Sequence, residues 1–306
     1  MTDELYRGFS GYLSQTFGCR VHKITVDAGL GCPNRDGTIA RGGCLYCNAR
    51  GSGTGAAREG LSVSRQIERS RLFLSRRYGA RKFLAYFQSF TNTHAPVALL
   101  RSLWEEALSC EGVAGLSVGT RPDCVPEPVL ALMEELARKT HFWAEYGLQS
   151  ACNETLARIN RGHDAACFAD AVARTRGRGI RICGHVILGL PGETREHMMK
   201  TADFIAGLGL DGVKLHLLYV VKGTGMEALY RQGEYRPLDR EEYVSLVADF
   251  LERLPPATVI QRLTGDPHPE ELVAPSWALG GKARTLALIR EELSRRGSFQ
   301  GRHFRG

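Results

Sequence analysis

The chain has no apolar run long enough to cross a bilayer, and its opening, MTDELYRGFS, holds no apolar stretch of the signal-peptide kind. No membrane association is expected, and the cytoplasm is the expected compartment. Low-complexity segments and long linkers are also missing. Cysteine is sparse and odd in number, nine in 306 residues. In a cytosolic chain that argues against a disulfide framework, and any clustered subset points to metal binding or catalysis. No recognised RNA-binding module is present. Even so, 40 Lys and Arg against 33 Asp and Glu leave a net charge of +7, which suits a polyanionic partner without requiring one.

What is present is a regular alternation. Short apolar or β-branched runs fall at 23–27, 83–88, 114–119, 142–148, 181–188 and 212–218. Between them, apolar residues recur at helical spacing over 61–77, 97–109, 127–139, 164–177 and 195–208. Strands separated by helices imply parallel pairing with right-handed crossovers. The expected fold is therefore α/β, a partial (β/α)6 TIM-like barrel with a C-terminal extension. The core is expected over 16–255, with a functional loop at 28–50, and the extension over 256–306. Beyond about 223 a helix is expected at 239–253, a strand at 258–263 and a basic helix at 282–296.

The first interval between strands is much longer than the rest and holds VDAGLGCPNRDGTIARGGCLYCNAR. Cys32, Cys44 and Cys47 are spaced C-x11-C-x2-C. Three thiolates hold three irons of a 4Fe–4S cluster and leave the fourth open to an external ligand. A structural zinc needs a fourth protein ligand, and 33–60 contains no further Cys or His, though His22 or His94 could fold in. On spacing alone both metals stay open.

The loop resembles the cluster loop of radical S-adenosylmethionine (SAM) enzymes. Its wide spacing is similar to that of the bacterial YhcC/YtqA-like proteins and, more distantly, the catalytic subunit of Elongator. CPNRDGT, GGCLYC, GTRPDC, EYGLQS, INRGHD, HVILGLPGET, KLHLLYV, IQRLTGD and APSW carry the resemblance along most of the chain. It implies a 4Fe–4S cluster on Cys32, Cys44 and Cys47 whose open iron binds SAM. Reductive cleavage of that SAM yields a 5′-deoxyadenosyl radical. It further implies an electron donor such as flavodoxin or ferredoxin, and tRNA as substrate: at the wobble uridine, 5-carboxymethylaminomethyl would become 5-aminomethyl. A radical SAM enzyme acting on a small molecule or porphyrin-like compound, and a non-catalytic iron–sulfur or zinc protein that binds RNA, are the alternatives.

Alternate strand residues point into a barrel, and the C-terminal strand ends carry chemistry. Trp143, Glu145, Gly147 and Gln149 share one face. Glu145 and Gln149 are thereby candidates to hold SAM, unless Glu145 is a buried carboxylate paired with an arginine. Ile187 and the Gly189–Gly192 turn resemble the segment that packs against adenine. Gln88 ends the second strand where related enzymes carry a glycine-rich segment, so this sequence departs from the pattern there. Lys214 and His216 share a face of the sixth strand, and Arg121 ends the third. These three are the catalytic candidates, with a satisfied core histidine and an Arg121–Asp123 pair as the plainer readings. Cys124 and Cys183 are candidates for further chemistry. Arg65, Arg69, Arg71, Arg76, Arg77, Arg81 and Lys82 form a basic run after the loop, either a solvated helix face or a phosphate-contacting surface.

Overall fold

The computed structural model describes residues 5–51, 56–57 and 59–306. Its centre is a sheet of parallel strands in the order β1 (Val21–Val26), β2 (Lys82–Phe87), β3 (Val113–Thr120), β4 (His141–Gln149), β5 (Arg181–Leu188), β6 (Gly212–Leu217) and β8 (Val259–Arg262). A short antiparallel pair, β7 (Val220–Val221) with β9 (Leu272–Ala274), stands apart. The helices are α1 (Phe9–Phe17), α2 (Pro33–Asp36), α3 (Val63–Tyr78), α4 (Val97–Ser109), α5 (Glu127–Ala137), α6 (Asn153–Arg158), α7 (Ala165–Thr175), α8 (Arg195–Leu208), α9 (Gly225–Arg231), α10 (Arg240–Arg253) and α11 (Lys282–Arg295).

Helix boundaries follow local chemistry. Ser62 accepts the Arg65 amide at the start of α3, and Gly79 ends that helix at φ 65°. Asp164 caps α7 through the Cys167 amide, and Asp239 and Glu242 cap α10 reciprocally.

Six strand spacings of about 4.8 Å would put β1 some 29 Å from β8 in a flat sheet. Instead Lys23 Nζ on β1 donates to Gln261 Oε1 on β8 at 2.7 Å. The sheet therefore curls into an open barrel with a lumen. Outward residues such as Phe142, Tyr146, Leu116 and Ile182 pack with Trp104, Met133 and Phe168 from the surrounding helices in the main core. On the inner face Val21, Leu84, Trp143, Cys183 and Val259 meet Leu13 of α1, which closes the floor at the N-terminal strand ends.

The sheet does not stop at six strands. The strand expected in the extension is β8, which pairs with β6 inside the same sheet. The rest of the C-terminal region behaves as a cover for the cysteine loop. Met226 N of α9 donates to Leu45 O at 3.1 Å, and Glu271 holds Asn48 Nδ2 at 2.9 Å and Arg50 Nη1 at 3.1 Å. Among the described residues no helix is long and apolar enough to cross a membrane.

Candidate functional site

The cysteine loop leaves the C-terminal end of β1 and is fastened at its base. Gln66 of α3 accepts the Asp27 amide at 2.9 Å and donates to Asp27 O at 2.8 Å. Cys32 sits at the N-cap of α2, and Cys47 N donates to Cys44 O at 2.9 Å, forming a tight turn. The turn is sewn to the segment after α6: Leu45 N donates to Ile159 O at 2.9 Å, and Asn160 Nδ2 to Gly43 O at 2.8 Å. Gly43 has φ 80°, which disfavours any side chain, and a Cβ there would lie 2.8 Å from Arg35 Nε and displace that guanidinium.

Donors converge on the sulfurs. Asn34 Nδ2 and Arg161 Nη1 each lie 3.6 Å from Cys44 Sγ. Arg35 donates to Cys47 O at 2.6 Å and Asn48 O at 2.7 Å, and its charge opposes the upward push of burial on the Cys47 thiol. Cys32 and Cys44 both act electrostatically on Cys47, so the three thiols form one group. Tetrahedral zinc with Zn–S near 2.3 Å brings its sulfurs to about 3.8 Å of one another. Among the described residues the trio of potential ligands converging within 4.8 Å is Glu145, Cys183 and His185, not the loop cysteines. Their wider spread and their cationic and amide N–H neighbours fit an iron–sulfur cluster better than a single zinc ion.

Arg161 is the hub that sequence reasoning missed. It is 6% exposed, and it bridges Cys44 Sγ to Gly147 O of β4 at 2.7 Å. Its own carbonyl accepts from Arg121 Nη1 at 2.8 Å. The rest of the Arg121 fork grips Asp123, with Nε at 2.8 Å and Nη2 at 2.6 Å. Of the two sequence readings of Arg121, the pairing with Asp123 is the one found, and Arg121 thereby positions Arg161. INRGHD held the only signal, an arginine in a turn after a short helix.

The lumen above the floor is charged. Glu145, fully buried, receives Lys23, Lys214 and Ser117, together with His185 Nε2 at 2.8 Å. The partners are thus lysines and a histidine rather than an arginine, and both carboxylate oxygens are occupied. Burial pushes the Glu145 carboxyl up, but Lys214 and Lys23 outweigh it and hold it well below its usual range. Lys214 is brought down to about 7 by burial, against the pull of Glu145, and its Nζ stands 4.0 Å from the Tyr86 ring centroid. Burial, then Lys214, lowers His185 to about 4. Burial, then Arg262, lowers His216, whose Nε2 has no hydrogen-bond partner. Both histidines are neutral at pH 7. The trio of Glu145, Cys183 and His185 is an unsuitable cation site, because two lysines already neutralise its carboxylate.

The remaining expected residues ring the mouth. A β-bulge after Gly147 gives Gln149 φ 77°, yet its Nε2 still lies 2.8 Å from where a Gly147 Cβ would stand. Ile187 joins an apolar patch with Leu156, Ile159 and Leu218 that reaches Leu45 and Tyr46 of the cysteine loop. Gly189 has φ 88° and accepts the Tyr235 hydroxyl at 2.7 Å. Gln88 N donates to Val26 O at 3.0 Å, beside Asn92, whose Nδ2 reaches Phe87 O, Ser89 O and Gly119 O. An amide side chain thus pins β2 to β3 at this point.

Other expectations sort differently. Burial raises the Cys124 thiol to about 12, with Asp123 adding to it, and burial raises Cys183 further, so both stay protonated. The basic run does not stay beside the loop. Helix α3 runs antiparallel to the strands for about 24 Å and carries Arg76 and Arg77 to the floor end, where β1 and β2 begin. There Arg77 and Arg20 lie over Tyr78, Phe73 is 60% exposed, and a cavity is lined by Arg69, Leu72, Phe73, Arg76 and Arg77.

Residues 29–205 match the radical SAM superfamily, and residues 210–295 match the radical SAM C-terminal domain. YtqA of Bacillus subtilis is 42% identical over 303 residues, covering 99% of this chain and 94% of that protein. YhcC of Escherichia coli is 40% identical over 275 residues, 90% of this chain and 88% of its own length. The archaeal Methanocaldococcus infernus Elp3, with an N-terminal deletion, superposes with a TM-score of 0.70 at 18% identity. That alignment takes in 92% of this chain but 64% of the Elp3 chain, so the likeness is one of fold.

Proposed function

The chain belongs to the radical SAM superfamily, and from that premise we propose that it modifies tRNA, converting a wobble-uridine 5-carboxymethylaminomethyl side chain to 5-aminomethyl, with the carboxymethyl carbons leaving as glyoxylate, water supplying the aldehyde oxygen and SAM consumed as the two-electron oxidant. The observation carrying this reading is the cysteine loop, with its sulfur-directed Asn34 and Arg161, seated over a cation-lined lumen. The tRNA assignment itself rests on the resemblance to the YhcC/YtqA-like proteins, supported by the patch of Arg69, Arg76 and Arg77 on α3.

Cys32, Cys44 and Cys47 would hold a 4Fe–4S cluster, which, with SAM and an electron from a donor such as flavodoxin or ferredoxin, supplies the 5′-deoxyadenosyl radical. Asn34 and Arg161 offset charge on the thiolates, and Arg121 keeps Arg161 in place. Gln149 and Gln88 would frame the polar parts of SAM, with Ile187 and Gly189 against the adenine. Glu145 acts through its partners, fixing the ammonium groups of Lys23 and Lys214 in the lumen. Lys214 and His216 lie beneath the mouth, where a substrate side chain would enter.

The deciding experiment is anaerobic reconstitution with iron, sulfide, a reductant, SAM and total tRNA, followed by nucleoside mass spectrometry. Loss of 5-carboxymethylaminomethyluridine with matching gain of 5-aminomethyluridine is expected. Unchanged nucleosides under conditions in which SAM is cleaved would overturn the substrate.

A further inference from the structure

IQRLTGD, one of the segments carrying the family resemblance, has no role in the chemistry described above. In the fold it is β8 and the turn after it. Pairing with β6 runs Val213 against Ile260 and then Lys214 against Arg262, so one extra residue, Gln261, is inserted. A bulge of this kind re-aims side chains. Gln261 faces the lumen, where it accepts from Lys23 at 2.7 Å. Arg262, the register partner of the lumen-facing Lys214, is turned to the same side and acts electrostatically on Tyr86, His185, Lys214 and His216.

The charges there do not balance. Glu145 serves both lysines, and among the described residues Arg262 has no carboxylate partner. The nearest acid in sequence, Asp266, pairs with Lys282 at 3.4 Å. His216 Nε2 lies in the same region, buried and without a partner. Arg262 is half-buried, stands beside a second cation, and has no carboxylate partner among the described residues, so its fork is open to an anionic ligand.

We infer that Arg262, with Lys214 and His216, forms a subsite for a carboxylate at the end of a flexible side chain of the substrate. Its fork offers two parallel N–H donors, the geometry that binds a carboxylate bidentately. A carboxylate on a tether can enter a barrel lumen, whereas the phosphate backbone of a nucleic acid cannot. The inference deepens the proposed function and rests on the lumen being the substrate chamber, but it does not require the substrate to be tRNA. The carboxylate of SAM is the other possible source of the same chemistry, and the experiment separates the two.

The test uses the full chain loaded with its cluster and saturated with SAM. N-methylglycine is titrated by calorimetry, with N-methylacetamide as the uncharged control. N-methylglycine should bind and the control should not. Arg262→Gln should weaken N-methylglycine by about tenfold or more, the loss expected for a hydrogen bond to a charged group. Arg262→Lys should recover part of it, and the Kd for SAM should not change in either variant. Cluster content and circular dichroism of both variants verify that each remains folded. Equal binding of acid and amide, no binding of N-methylglycine to the wild-type protein, or a loss in Arg262→Gln confined to SAM would each overturn the subsite. Because the probe is not tRNA, a failure of the tRNA assignment leaves this result readable, and a failure of the subsite leaves the nucleoside assay readable.

Discussion

The two faces of β4 are built by alternate residues of one strand, yet they answer to different physics. Outward, Phe142, Ala144, Tyr146 and Leu148 fill space against α4, α5 and α7, and every one is fully buried. Lumenward, Trp143 plugs the floor, Glu145 gathers four donors, and Gly147 lets the Arg161 guanidinium and the Gln149 amide close in on the strand. The outer face is specified by volume, so neighbouring apolar side chains are interchangeable in kind. The inner face is specified by charge, so each member depends on partners from distant strands.

The largest effect should come where neither rule applies. Replacing Cys32, Cys44 and Cys47 by Ala should abolish the brown chromophore and all SAM cleavage. Circular dichroism of the apoprotein should still show a folded α/β chain, because the sheet and its helices pack without the three thiols. Stoichiometric iron in that triple variant would refute the cluster assignment.

On the inner face, Glu145→Ala takes the carboxylate away from buried Lys214 and half-buried Lys23 and should cost about 3–5 kcal/mol. Adding Lys214→Met should return part of that loss, a sign of charge imbalance rather than lost packing. SAM affinity should weaken as well, because Lys23 and Lys214 lose their anchor. If the double variant is less stable than the single one, the contrast between the faces fails.

On the outer face, Leu148→Ala should cost about 2–5 kcal/mol through the cavity it leaves. It should not alter SAM affinity measured by equilibrium dialysis. A shift in SAM binding larger than twofold would show that the faces are mechanically coupled.

Glu193 sharpens the contrast at the mouth, where burial lifts its carboxyl from an ordinary 4.5 to about 7, although Ser150 donates to it. The unfolded chain releases this proton as pH rises through 4.5, while the folded chain keeps it to about 7. Its contribution therefore falls across that interval and is constant above it. Glu193→Gln should flatten this part of the stability profile, read as urea midpoints between pH 5 and 8. An unchanged slope would mean that Glu193 is ionised in the fold.

The smallest effect concerns the floor end of α3. Reversing Arg76 and Arg77 to Glu should weaken tRNA binding. The slope of log affinity against log salt should become shallower, by about one unit for each phosphate those arginines neutralise. SAM cleavage without tRNA should be unaffected, since those side chains stand at the opposite end of the barrel from the cysteines. Undiminished tRNA binding would identify the arginines as a solvated helix face.

Much of the architecture was legible because it is local. Apolar periodicity marks β5 at 181–188 and the helices at 97–109 and 195–208 with the bounds found in the structure. The face shared by Trp143, Glu145, Gly147 and Gln149 follows from two-residue alternation alone. Spacing isolates Cys32, Cys44 and Cys47. The partners were not legible, because they come from the curl of the sheet. Lys23 meets Glu145 from 122 residues away and Gln261 from 238, and Arg161 reaches Cys44 across 117. No pattern in a window of sequence encodes such distances. A lysine in a strand reads the same whether it faces water or a buried carboxylate. Likewise, an arginine such as Arg121 or Arg262 shows only in the closed barrel whether its fork is already taken or still open. Sequence therefore determined the elements and the grouping of Cys32, Cys44 and Cys47 in one loop. Tertiary structure decided which charges are satisfied, because burial turns distant residues into neighbours and makes their pairing energetically decisive.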